Sequence, residues 1–157
     1  MSQLRLNPRS GRWVTIVTDR AERPTDFAPR PAQVETGPSR PCPFCPGHEE
    51  ATPPALETVN VGGERKGEWQ VRVVPNKYPA FAGNEPFSVH TLGPVHTQAE
   101  ASGIHEVFVY ARDHDATLAT LDDEHMAMLM SVLRRRMIDH GATPGVRYTQ
   151  AIVNHGR

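Results

Sequence analysis

The chain has 157 residues, 38% of them hydrophobic and 22% charged, with a formal net charge of −1; the length suits one domain with a core, and the composition excludes a disordered polymer. Near-neutrality argues against a general nucleic-acid binder, which needs a basic surface. No apolar run approaches a membrane span, the opening "MSQLRLNPRSGRW" has no apolar signal-peptide core, and 15 prolines with 12 glycines predict long loops.

In chain order, "WVTIVT", Trp13 to Thr18, is β-branched and bounded by Gly11 and Asp19, which predicts a strand. From Arg23 to about Pro54 the chain is proline-rich and without period, so a long loop or wrapping arm is expected there. "WQVRVVPN", Trp69 to Asn76, puts Trp69, Val71 and Val73 on one face, as in a strand with one buried side that ends at Pro75. Residues 79 to 103 read as loop. His105 to Tyr110 reads as a third strand and Val146 to Asn154 as a fourth.

One helix is expected between these last two. Thr120 and Asp123 form a capping-box-like start, and Met126, Leu129, Met130, Leu133 and Met137 recur at helical spacing before Gly141 supplies a stop. The methionine stripe reads as a core face rather than a partner-binding one. Arg134 to Arg136 reads as a solvated patch, and His125 and His140 as exposed. Strands, one helix and a strand predict an α+β fold with a mostly antiparallel sheet, one edge of which needs cover.

The two cysteines, Cys42 and Cys45, sit in "RPCPFCPGHEEATPP". Three readings apply. A redox pair needs a following helix to lower a thiol pKa, and the prolines after Cys45 forbid a long one. A knuckle turn with both sulfurs facing one point suits tetrahedral zinc. An unliganded structural pair is the plain alternative, because C-x-x-C is a weak sign without its partners. Of eight histidines, His114 in "ARDHD" lies just past a predicted strand, where a sheet end can present a ligand; an ordinary turn histidine is its plain alternative. A lone C-x-x-C without an export signal predicts a reducing, cytoplasmic location.

Arg20 and Arg23, spaced by three after the first strand, can converge on one anion, although surface arginines are usually solvated. Asn76 and Lys77 end the second predicted strand, and Asn76 can cap the turn.

The pieces "NPRSGRWVTIVTDRAERP", "CPFCPGHEEATPP", "VRVVPNKYPA", "GIHEVFVYARDH" and "VNHG", in this order, resemble the N-terminal portion of the galactose-1-phosphate uridylyltransferase family, in the histidine-triad superfamily. The resemblance covers nearly all of residues 1–157. It implies a histidine-triad-like half-domain that binds zinc through Cys42, Cys45 and His114. It implies that Arg20, Arg23, Asn76, Lys77 and Asn154, and more loosely Ala51 and Thr52, line a UDP-sugar and sugar-phosphate cradle. The family's reaction converts UDP-glucose and galactose 1-phosphate to glucose 1-phosphate and UDP-galactose through a uridylylated histidine. That histidine, and the fourth zinc ligand, belong to an H-P-H-x-Q motif that follows "NHG"; no H-x-H occurs in this sequence. The resemblance therefore implies a chain inactive alone, whose second half carries the nucleophile, and a homo-oligomer when complete. An adenylyl-transferring or phosphorylase relative using an ADP-sugar shares the same motifs. A zinc-stabilised interaction half of a split enzyme is a further alternative.

Overall fold

The computed structural model describes residues 2–17, 42–60 and 68–154. In chain order the elements are β1 Ser2–Leu6, β2 Trp13–Val17, β3 Glu57–Asn60, β4 Trp69–Pro75, β5 Val89–Leu92, β6 His96–Glu100, β7 Glu106–Val109 and α1 Asp123–Ala142. They form two antiparallel sheets, one ordered β2-β1-β6-β5 and the other β3-β4-β7, so the expected α+β class is observed.

β4 is the centre of the smaller sheet, with β3 on one side and β7 on the other. Val71 and Val73 point toward α1 and pack on Leu129 and Val132, with Met126, Met128, Leu118 and Phe108 around them. The expectation of one buried face is corrected here: Arg72 and Val74 are buried as well. The chain that follows the cysteines supplies cover on that second side, where Arg72 Nη2 donates to Thr52 Oγ1 at 3.0 Å. Alternation along a strand reports one covered face, and this second cover comes from residues distant in sequence.

Four further expectations are corrected. Residues 79–103 are not all loop: "VHTL" and "HTQAE" form the β5–β6 hairpin, Leu92 facing His96 across a turn in which Gly93 has φ +66°. Both strands are short and polar, so their period was weak. Val146 to Asn154 is not a strand; among the described residues it pairs with nothing, and Tyr148 is 77% exposed. Strand propensity needs a neighbouring strand to become a ladder. The helix is capped by Asp122, whose side chain accepts from His125 N–H at 2.8 Å, while Thr120 closes a 3-10 turn with Thr117. Gly141 lies inside the last turn, and Thr143 is the C-cap.

Of the helix's polar residues, Arg134 and Arg135 are exposed as expected, whereas Arg136, His125 and His140 are partly buried. Arg136 bonds both oxygens of the buried Glu106 carboxylate on β7, and Arg135 pairs with Glu57 on β3. His140 Nε2 lies 3.0 Å from Glu106 Oε1, and His125 Nε2–H donates to Tyr110 C=O at 2.7 Å. A basic run looks solvated until a carboxylate on another element faces it. The methionine stripe divides: Met126 and Met128 flank the core, whereas Met130 and Met137 are exposed.

Candidate metal centre

Two loops converge at one end of the β3-β4-β7 sheet. The first, Cys42 to Thr52, is a chain of tight turns: Cys45 N–H donates to Cys42 C=O and His48 N–H to Cys45 C=O, both at 3.2 Å. Gly47 sits at φ +85°, a conformation that costs a glycine little, and lets the chain turn away immediately after the second cysteine. The second loop follows β7. Tyr110 OH donates to Ala116 C=O at 3.0 Å, and Asp113 Oδ1 accepts from Asp115 N–H at 3.0 Å, which fixes the turn carrying His114.

The loops bring Cys42, Cys45 and His114 together, with their ligand atoms all within 4.8 Å of one another. Cys45 Sγ and His114 Nδ1 are 3.3 Å apart. Zinc bonded to sulfur and nitrogen in a tetrahedron would separate those atoms by about 3.6 Å, so the donor set and spacing fit that ion. No described fourth residue joins the cluster; His48 instead turns Nδ1 to Cys42 C=O at 3.0 Å. Burial pushes the Cys45 thiol up, and the Cys42 sulfur and the carboxylates of Asp113 and Asp115 add to the rise.

Within the cysteine loop Glu49 and Thr52 reach Trp69 and Arg72 of β4; the sequence spacing marked Trp69 as a buried strand residue and did not single out Glu49 or Arg72. Glu49 Oε1 accepts from Trp69 Nε1–H at 2.7 Å, and Oε2 accepts from Gly47 N–H at 2.8 Å. The indole hydrogen bond, with backbone N–H bonds behind it, holds the Glu49 carboxyl below the usual carboxylate range. Arg72 is only 4% exposed; its guanidinium lies 5.5 Å from the Trp69 ring centroid. A buried tryptophan needs a partner for its N–H, which is the one signal that would have led from Trp69 to an acceptor in the acidic "HEE" run.

The expected cradle residues are less coherent. Arg20 and Arg23 lie outside the described residues. Ala51 is exposed at the end of a 3-10 turn, and Thr52 Oγ1 is spent on Glu49 C=O and on Arg72. Asn76 Oδ1 accepts from Tyr78 N–H at 2.9 Å, the turn-capping role, and its amide nitrogen lies 3.1 Å from His105 Nε2. Lys77 is exposed. Asn154 is exposed and makes no hydrogen bond among the described residues.

The family model described as "Galactose-1-phosphate uridyl transferase, N-terminal domain" matches residues 1–157. The chain belongs to that family. It is 28% identical over 155 residues to an ADP-glucose phosphorylase of Arabidopsis thaliana, covering 98% of this chain and 43% of that protein. It is 25% identical over 158 residues to a galactose-1-phosphate uridylyltransferase of Thermotoga maritima, covering 100% of this chain and 42% of that protein. The crystal structure of the Arabidopsis phosphorylase with bound ADP-glucose superposes with a TM-score of 0.53 at 24% identity, over 94% of this chain and 41% of that one, and shows the shared fold. The chain thus spans about two-fifths of the length of these relatives. Among the described residues no helix is long and apolar enough to cross a membrane.

Proposed function

We propose that residues 1–157 form the zinc-bearing part of a nucleotidyltransferase that acts on a nucleotide-sugar and a sugar phosphate. The observation that carries this reading is the convergence of Cys42, Cys45 and His114 at zinc-ligand spacing, in a chain of this family. The zinc is structural: bound there, it ties the cysteine loop to the histidine loop. Arg20, Arg23, Ala51, Thr52, Asn76, Lys77 and Asn154 are the proposed substrate side, with guanidinium forks suited to pyrophosphate oxygens.

The transfer is a double displacement at phosphorus. A histidine nitrogen attacks the α-phosphorus, the bond to the β-side oxygen breaks, and the sugar phosphate leaves with its oxygen. The second sugar phosphate then takes the nucleotidyl group back from the histidine. No H-x-H motif occurs in residues 1–157. The nucleophile therefore comes from outside these residues, on the same or a second polypeptide, and this part alone is inactive. The free thiols of Cys42 and Cys45 are in keeping with a cytoplasmic location.

The uridylyl reading has UDP-glucose and galactose 1-phosphate as substrates. A second reading, adenylyl chemistry on an ADP-sugar, is favoured by the 28% identity to an ADP-glucose phosphorylase. The test has two stages. The reduced chain, free of chelator, should retain zinc by elemental analysis, and Cys42→Ser should lose most of it and melt earlier; zinc below about a tenth of an equivalent in the unaltered chain sinks the metal reading. Radiolabelled UDP-glucose or ADP-glucose is then offered to the chain alone and with a polypeptide carrying H-P-H-x-Q. Transfer is expected only in the mixture, and the nucleotide that labels the protein names the base. A covalent nucleotidyl adduct on the isolated chain would overturn the account of where the nucleophile lies.

A further inference from the structure

The three candidate ligands come from segments far apart in the chain, Cys45 and His114 being 69 residues from one another. The internal turns of each loop set that loop's own shape and leave the distance between the loops undetermined. Both loops nevertheless reach one side chain. Trp69, buried at the start of the central strand β4, donates its indole N–H to Glu49 in the cysteine loop. The ring lies 5.4 Å from the guanidinium of Arg112, two residues before His114, and Glu68 Oε2 lies 3.9 Å from Arg112 Nε.

From this convergence we infer that Glu49 and Trp69 are the positioning pair of the metal centre: the Glu49 carboxylate sets the cysteine loop, and the Trp69 ring sets the histidine loop, against a common reference. The inference rests on the metal reading. Its chemistry is specific to a carboxylate. Glu49 accepts two N–H groups at once, from Trp69 and from Gly47, the second of which is two residues past Cys45. Glutamine in its place would turn an NH2 toward one of those donors, releasing one contact without removing a ligand or a core side chain. Phenylalanine at position 69 keeps a ring for Arg112 but loses the N–H and part of the indole's buried volume, so its metal-free stability is read beside its metal affinity.

The test loads the chain with zinc, measured by competition with a chromophoric chelator, and with cobalt(II), whose visible spectrum reports tetrahedral thiolate ligation. Glu49→Gln and Trp69→Phe should each weaken zinc binding roughly tenfold, the low end of what changes outside the ligand set cost, and should alter the cobalt bands. The double variant should weaken binding by less than the product of the two single effects, since the Glu49–Trp69 contact is common to both. Circular dichroism and melting of the metal-free forms accompany each measurement. Wild-type affinity and spectrum in Glu49→Gln would overturn the inference while leaving the metal reading intact. So would weaker binding with an unchanged cobalt spectrum and a proportionate fall in metal-free melting temperature, which would mark a general loss of stability. A wild-type chain that takes up neither metal removes the metal reading itself, and the positioning role with it.

Discussion

The two sheets divide the labour. In β3-β4-β7 the central strand is buried on both faces, between α1 and the cysteine loop, and the ligand-bearing loops leave from its two flanks. In β2-β1-β6-β5 only Ala99 is buried, and Trp13, Val14, Ile16, Val89 and Leu92 remain exposed among the described residues. A strand held from both sides makes a stable reference from which two loops can be aimed at one point. A strand open to solvent makes a platform that tolerates change, and nothing in the metal cluster is built on it.

That contrast can be broken by mutation. The largest effect is expected at the helix-sheet contact: Leu129→Ala, at a residue 5% exposed, should cost about 3 kcal/mol, whereas Leu92→Ala, 54% exposed on β5, should cost under about 0.5 kcal/mol. Denaturant melts of the two variants decide it, and equal losses would mean that the open sheet carries a core of its own.

Next comes the clasp between α1 and β7. Burial alone would raise the Glu106 carboxyl, but contacts from Arg136 and His140 outweigh it and hold the carboxyl below its ordinary value. A depressed folded pKa means that Glu106 contributes its full stability above the unfolded carboxylate pKa of about 4.3 and loses it as pH falls through the lower folded value. Glu106→Gln should therefore cost about 2 kcal/mol at neutral pH. The gap in melting temperature between wild type and variant should close in acid below about pH 4. A gap that persists unchanged into acid would show that the carboxylate's charge is not what holds the helix.

The smallest effect sharpens the same comparison from the surface. Arg135→Ala removes the ion pair to Glu57, whose arginine side chain is 50% exposed, and should shift stability by about 0.5 kcal/mol, less at high salt. A loss approaching that of Glu106→Gln would place the Arg135 pair inside the packed layer rather than on its rim.

Several features were legible in the residues because the signals are local. β-branched runs marked β2, β4 and β7; the spacing of Met126, Leu129 and Leu133 marked α1; and the proline-flanked cysteine pair marked a knuckle. β1, β3 and the β5–β6 hairpin escaped because short polar strands differ little from loop until they pair. Val146 to Asn154 carried the pattern of a strand and makes none, for lack of a partner among the described residues.

By itself the sequence determined which residue types were available for zinc, and the order of motifs that places the chain in its family. The family resemblance named Cys42, Cys45 and His114 together and the fold brings them within 4.8 Å, but only the tertiary structure decided that Arg136 and His140 close on Glu106 and that Glu49 reaches Trp69 across 20 residues. The physical reason is range. Propensity, turn chemistry and periodicity act over a few residues, whereas a ligand cluster or a buried ion pair forms between side chains whose distance is set by sheet register and packing, which no local window contains.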